Sequence, residues 1–376
     1  MDAKEACALR LHKIRAKMRD AKLDGLYLRT TTNIAWATAF TGVFDEEMAH
    51  ALLVLPDRAI LHTDSRYSGA MRSAAEGTEI EVSDAVANHF ELFLKEHLKH
   101  HSAKMAIGIE DSLSLREFHS LEKLTSANSH VKLIETSNFV EELRAIKDEL
   151  EIEYMREAQA ITDKAFAHIC SFIKAGMSEL DVQRELDRFM YENGSIGLAF
   201  PSIVAAGPHA ASPHAQPSEQ ILNTGDAVVM DFGARVNGYC SDMTRTVFLG
   251  EPSDDVSHAF GVLRKANEEC EAKMKAGVRA SLVHNHAEKV LARGGYANKM
   301  GHSLGHSLGL DIHESPALSW KNDNEIEEGV VITVEPGIYL DGDFGMRLED
   351  FGVVRQEGFE VLTQSTHEMV IIDIRD

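Results

Sequence analysis

The sequence predicts an α+β chain of two domains, a smaller α/β arrangement over residues 1–137 and helices on an antiparallel sheet over residues 138–376. Three observations carry this reading. The 376 residues exceed what one hydrophobic core usually holds. Short apolar runs alternate with helical periodicity through the first part of the chain, and longer amphipathic helices with β-branched strands fill the rest.

In the first domain, Leu9, Leu11, Ile14 and Met18 lie at near-helical spacing over residues 8–22, Gly25 stops the run, and Leu26–Leu28 begins a strand. Apolar runs at Ala51–Leu55 and Ala59–Leu61 flank a Pro56-Asp57-Arg58 turn. Helical stretches are expected near 68–75 and 88–100. They are followed by strand Met105–Ile109, a helix near Leu115–Leu124 and the segment Val131–Ile134. Thr136-Ser137-Asn138 interrupts the alternation and sets the domain boundary near residue 137.

Beyond it, Glu141–Ile173 reads as one long helix with Ile152, Met155, Ala158, Ile161, Ala165, Ile169 and Phe172 in an apolar stripe. Ser178 and Asp181 form a capping box for a helix that buries Val182, Leu186 and Phe189 and ends at Asn193-Gly194. Asn237-Gly238 is the signature of a two-residue type I′ turn, and such a turn pairs Asp231 with Thr244 and Gly233 with Asp242. Helices at 256–275 and 281–293 then precede strands Val330–Val334, Ile338–Leu340 and Met346–Val354.

Composition narrows the function. Lys and Arg total 38 against 60 Asp and Glu, a net charge of -22, so nucleic acid and anionic membrane surfaces would be repelled. The sequence has no apolar run of 18 residues and no signal-peptide pattern, which predicts a soluble cytoplasmic protein. Cys7, Cys170, Cys240 and Cys270 are scattered without a C-x-x-C pair, so reduced structural thiols are expected.

The chemistry concentrates in carboxylates. On the predicted hairpin Asp231 and Asp242 are diagonal neighbours on one face, about 7–8 Å apart at the backbone, and like charges that close call for a cation. A lone strand glutamate ordinarily faces solvent, but Glu335 follows the apolar run Val330–Val334 and Glu349 lies within an apolar strand, where an unpaired charge is costly. Four carboxylates with one imidazole from GHSLGHSLGLDIHESP suit manganese, cobalt or iron better than a thiolate zinc site, and carboxylates can bridge two ions. Arg347, at the strand parity of Glu349, would face the same cluster. No G-x-S-x-G elbow or nucleophilic cysteine context competes, which leaves metal-assisted hydrolysis.

In order and context, DFG…GYCSDMTRT, GHSLGLDIHESP, VEPGIY and GMRLED resemble the creatinase and methionine-aminopeptidase superfamily of pita-bread metallopeptidases over residues 140–376. YLRTTTNIAWATAFTG at 27–42 and LHTDSRY at 61–67 resemble the amino-terminal domain of its Xaa-Pro members, aminopeptidase P and prolidase. The resemblance implies a creatinase-like domain before a pita-bread domain, in which helices pack on a curved sheet. It makes Asp231 the bidentate ligand of one ion, His306 and Glu335 ligands of a second, and Asp242 with Glu349 the bridges. Glu335 becomes the general base, while His313 and His214 become substrate-facing histidines. His306 is chosen over His302 because it stands seven residues before the HESP histidine, His313. His302 is then a core or surface histidine.

The same resemblance implies two divalent ions, manganese first with cobalt, zinc or iron as alternatives, small peptide substrates with proline second, and a homodimer. Intact ligand positions argue against a metal-free creatine hydrolase and against an inactive peptide-binding module. The amino-terminal domain argues against a methionine-type aminopeptidase.

Overall fold

A computed structural model describes residues 1–45, 47, 49–84, 89–97, 104–126 and 130–373. The chain divides into two units, Met1–Arg144 and Ala145–Asp376. Residue 137, the boundary read from the sequence, lies inside the first unit, because Phe139 and Val140 are buried and the Arg144 guanidinium donates to Asn33 Oδ1 at 2.8 Å.

The first unit is built on a six-stranded sheet in the order Ile80–Ser83, Ala59–His62, Ala51–Val54, Gly25–Leu28, Met105–Glu110, Val131–Thr136. Gly25–Leu28 pairs antiparallel with Ala51–Val54 and parallel with Met105–Glu110, so the sheet is mixed. Of the helix expected over 88–100, His89–His97 forms, while positions 88 and 98–100 lie outside the described residues. Helix Thr31–Thr38 was not expected. Its start is held by a distant carboxylate: Glu110 Oε2 accepts from the amides of Arg29 (2.5 Å) and Thr30 (2.9 Å), and Glu110 Oε1 accepts from Asn33 Nδ2 at 2.7 Å.

The second unit begins with helix Glu149–Phe172. The single helix expected over Glu141–Ile173 is broken, because Asp148 caps a fresh start: its Oδ1 accepts from the Leu150 and Glu151 amides, and Glu151 Oε2 accepts from the Asp148 amide. This helix and Glu179–Glu192 cover a four-stranded sheet ordered Val370–Ile372, Met243–Leu249, Ala227–Phe232, Ile203–Ala206. Ile161, Ile169, Val182 and Leu186 meet Val228, Met230, Phe232, Met243 and Val247 in that layer. Helices Asp254–Glu271 and Ala280–Arg293 cover a second sheet ordered Glu314–Leu318, Gly305–Ser307, Val331–Val334, Asp350–Arg355, Gly358–Val361. There Phe260, Leu263, Val290 and Leu291 meet Ile332, Val334 and Val354. The pairing is antiparallel except that Met243–Leu249 runs parallel to Val370–Ile372. This is the α+β plan of helices on sheets, preceded by a smaller α/β unit.

The hairpin has the register read from its turn. Asp231 lies opposite Thr244 and Cys240 opposite Arg235, while Asn237 and Gly238 take φ of +50° and +89°, both left-handed as a type I′ turn requires. The strand expected over Met346–Val354 is two strands, Phe344–Arg347 and Asp350–Arg355, and Leu348-Glu349 forms the step between them. At that step the two sheets meet: the Glu349 amide donates to the Thr244 carbonyl at 3.1 Å, and Thr246 Oγ1 donates to the Arg347 carbonyl at 3.0 Å.

Two glycines make opposite predictions. A Cβ on Gly233 would sit 2.0 Å from the Ser241 carbonyl oxygen across the hairpin, whereas a Cβ on Gly261, on the exposed side of a helix, meets nothing within 4 Å. Gly233→Ala should therefore destabilise the protein by about 1–3 kcal/mol, and Gly261→Ala should stabilise it by about 0.5–1 kcal/mol. Urea melts of both variants check this, and equal effects would contradict the close approach.

Candidate metal centre

The site sits where the two sheets meet. Asp231 is on the face of its strand opposite Val228, Met230 and Phe232, which are packed under the helices, so strand alternation alone turns its carboxyl toward the second sheet. Thr244 and Asp242 share that face of the partner strand. From the second sheet come His306 on Gly305–Ser307, Glu335 just after Val331–Val334, and Glu349 in the step before Asp350–Arg355.

These groups converge. Ligand atoms of Asp242, His306 and Glu349 all lie within 4.8 Å of one another. His306 Nε2 is 3.6 Å from both Asp242 Oδ2 and Glu335 Oε1. On the other side of the ring, His306 Nδ1 donates to the Ser307 carbonyl at 3.2 Å. Because only an N–H can make that bond, the tautomer is set and Nε2 presents a lone pair to the two carboxyls. Burial holds the ring neutral, with its pKa pushed down to about 4. Thr333 Oγ1 ties the two ends together, accepting from the His306 amide at 3.0 Å and lying 3.5 Å from Glu335 Oε1.

Asp242 and Glu349 are 4% and 2% exposed. Burial first, and then the neighbouring carboxyls, raise both well above the ordinary carboxylate range, and burial pushes Glu335 up to about 8. Among the described residues the cation that meets them is Arg347, whose Nη2 is hydrogen-bonded to Asp231 Oδ2. Asp231 Oδ1 is buried and, among the described residues, has no hydrogen-bond partner. Four carboxyls facing one guanidinium, with an orphaned oxygen and an oriented imidazole, are short of positive charge. An oxygen-preferring divalent ion fits this donor set, and Asp231, Asp242, His306, Glu335 and Glu349 are the residues able to hold it.

Arg347 reaches the cluster as its parity with Glu349 predicts, although a strand break separates the two. Its Nε donates to Thr244 Oγ1 at 2.9 Å, and Thr244 Oγ1 donates to Glu349 Oε2 at 2.6 Å. A chain of bonds orients its other arm: Arg347 Nη1 donates to Tyr339 Oη at 3.0 Å, Tyr339 bonds His302 Nε2 at 3.1 Å, and His302 Nδ1 donates to the Ser303 carbonyl at 2.8 Å. The sequence reading left His302 as a core or surface histidine. It is a neutral acceptor in the wall of the site, its pKa pushed down to about 4 by burial.

His313 is exposed, and its ring lies edge-on to His306 at 4.5 Å between centroids. His214 lies on an exposed turn beside Pro213, whose carbonyl accepts from Arg347 Nη1 at 3.3 Å. Sequence reasoning missed Thr244, Thr333, Tyr339 and a buried pair, Lys147 and Glu314. Lys147 Nζ lies 3.0 Å from Glu314 Oε2 and 3.1 Å from Ser307 Oγ, beside the chain neighbours His313 and His306. Thr244 carried a usable signal, since it stands two residues after Asp242 and so on the same strand face. The four cysteines are free, and burial pushes the thiols of Cys7, Cys240 and Cys270 up to about 12, which leaves none of these three poised as a nucleophile.

Comparison with known proteins agrees with this geometry. Residues 153–356 match metallopeptidase family M24, and residues 10–146 match the creatinase/prolidase N-terminal domain. The uncharacterized peptidase YqhT of Bacillus subtilis (strain 168) is 34% identical over 369 residues, covering 97% of this chain and 100% of its own. Among solved structures, an Xaa-Pro dipeptidase from Bacillus anthracis superposes with a TM-score of 0.89 at 36% identity, covering 97% of this chain and 99% of that one. An X-Pro aminopeptidase from Thermotoga maritima MSB8 gives 0.85 at 35% identity, covering 95% and 100%. With a family model over more than half its length and a full-length relative at 34% identity, the chain belongs to metallopeptidase family M24 and carries a creatinase/prolidase amino-terminal domain.

Proposed function

We propose that this peptidase hydrolyses the bond between an amino-terminal residue and a following proline, on peptides that extend beyond the proline as in aminopeptidase P. Two divalent ions, manganese first, are held by Asp231, Asp242, His306, Glu335 and Glu349. The observation that carries the reading is the convergence of Asp242, Glu335 and Glu349 on one imidazole whose tautomer is set, with Asp231 joined to the cluster through the Arg347 guanidinium. Asp231 would help hold one ion and His306 with Glu335 the other, and Asp242 and Glu349 are the carboxyls that would be shared between them. Bound there, the ions would supply a water of lowered pKa and polarise the scissile carbonyl.

The chain's own residues do the rest. Glu335 takes the proton of the attacking water. His313 and His214 hydrogen-bond the scissile group as its charge develops. Arg347 keeps Asp231 in place and offsets part of the carboxylate charge, as its bond to Asp231 supports. The proline preference rests on likeness to the Bacillus anthracis dipeptidase and the Thermotoga maritima aminopeptidase. The first of these favours a second reading, an Xaa-Pro dipeptidase confined to dipeptides. A homodimer working in the cytoplasm completes the proposal.

Metal-stripped protein reloaded with manganese should cleave both Xaa-Pro and Xaa-Pro-Xaa and spare an alanine analogue. Cleavage of the dipeptide alone would select the second reading, and equal cleavage of the alanine analogue would remove the proline preference. Asp242→Asn and Glu349→Gln should each lower kcat/KM by roughly 100-fold or more, about 2.7 kcal/mol, through weaker metal holding. Near-normal activity with full metal content would refute both assignments.

Proton and metal compete for the same carboxyls, and this sets a pH dependence. Glu335 and Glu271, both raised to about 8, stay protonated in the folded metal-free protein over a range where the unfolded chain has ionised them, so their contribution to stability is lost as pH rises toward 8. His306 and His302, lowered to about 4, act in the opposite sense, but only below their ordinary value near 6.5. The Tm of metal-stripped protein should therefore fall between pH 6.5 and 8, and manganese should raise it more at pH 8 than at pH 6.5. Calorimetric melts check this, and a rising Tm across that window would contradict it.

A further inference from the structure

Thr244 and Glu349 are each followed in the chain by a charged residue fixed away from the site, Arg245 by strand alternation. Those residues, Arg245 and Asp350, are 2% and 0% exposed, and Arg245 Nη2 meets Asp350 Oδ1 at 2.7 Å. All five N–H groups of the Arg245 guanidinium are used. Nη1 donates to the carbonyls of Thr244 (3.0 Å) and Glu349 (2.6 Å), Nη2 to Asp350 and to the Ser365 carbonyl (2.8 Å), and Nε to the Thr366 carbonyl (3.0 Å). Asp350 is held from two other elements, with His367 Nε2 2.8 Å from its Oδ2 and Asn267 Nδ2 3.4 Å from the same oxygen.

The cluster also brings Glu271 into reach, so that Glu271, Asp350 and His367 could in principle gather a cation. The guanidinium already at Asp350 argues against that use, since a second positive charge beside it in a buried setting is repelled. The geometry points instead to support. Arg245 grips the carbonyls of the two residues whose side chains form the Thr244–Glu349 hydrogen bond on the site face, across the seam where the sheets join.

We propose that the Arg245–Asp350 pair, backed by His367, is a positioning clamp that sets Glu349 and Thr244 for divalent-ion binding without touching the ion. The inference rests on the metal-holding role proposed for Glu349 and deepens it. A lysine at 245 keeps the charge but cannot reach the four carbonyls and one carboxylate together, since it is a point donor on a flexible stem.

The test is manganese binding to metal-stripped full-length protein by isothermal titration calorimetry, with Co2+ absorption spectra as a report of ligand geometry and melting curves as a control for folding. Arg245→Lys should bind manganese roughly 10–100-fold more weakly while still melting cooperatively, with an altered Co2+ spectrum. His367→Ala, at a partly buried position, should fold and show a smaller loss in the same direction. A folded Arg245→Lys with wild-type affinity and spectrum overturns the clamp. If Arg245→Lys does not fold, His367→Ala decides, and wild-type affinity there overturns it equally. Wild-type protein that takes up neither manganese nor cobalt would overturn the metal reading itself, and the clamp with it.

Discussion

The second unit answers to one electrostatic problem, the gathering of the buried carboxyls of Asp242, Glu335 and Glu349 with Asp231 around the Arg347 guanidinium. Carboxylates brought this close in a buried setting can exist as acids, as a metal site or not at all. The upward displacement of Asp242, Glu335 and Glu349 is the proton-bound solution. The orphaned Asp231 Oδ1 and the outward lone pair of His306 prepare the other one. A cation bound there would take the place of those protons, so its affinity would be tied to pH.

The fold meets that problem by placing the ligands on two separate sheets, each stiffened by its own pair of helices. Neither sheet alone carries enough donors. The contact that unites them is small: the Glu349 amide on the Thr244 carbonyl, Thr246 with the Arg347 backbone, and the side-chain series Arg347 to Thr244 to Glu349. The break between Phe344–Arg347 and Asp350–Arg355 belongs here. A continuous strand would have kept Glu349 in a regular ladder, whereas the step lets its amide bond across to the other sheet while its carboxyl turns into the site.

What could be read from the sequence was what depends on near neighbours. The hairpin register follows from Asn237-Gly238, and the Ser178 and Asp181 box does start a helix, because in each case the deciding bond spans only a few residues. Helix Thr31–Thr38 escaped because the amides of Arg29 and Thr30 just before it and the Asn33 side chain are held by Glu110, far along the chain, and its threonines hide the periodicity. The long helix read over Glu141–Ile173 failed in the other direction: its apolar stripe is real, but the Asp148 capping box, a local signal that was present, outweighs continuity. For the site, the carboxylates stood out as charges in apolar surroundings. Thr333, Tyr339 and His302 did not, since an uncharged hydroxyl or a lone imidazole looks alike whether it supports a ligand or fills a core.

A pattern runs through the residues that were missed. Thr244 is followed by Arg245, Glu349 by Asp350, His306 by Ser307 and His313 by Glu314. In each pair the first residue belongs to the site and the second is fixed elsewhere, Arg245 with Asp350 and both Ser307 and Glu314 on Lys147. At Thr244 and Arg245 strand alternation does this, because consecutive side chains leave on opposite faces, and in every pair one short backbone unit carries a group of the site and its anchor together. Precision at a metal centre needs such anchoring, since a ligand displaced by a fraction of an ångström loses coordination strength. Buried charged pairs contribute little net stability, but removing one partner leaves the other stranded, so they hold position firmly. The charges behind the site serve geometry, and the charges in front of it serve chemistry.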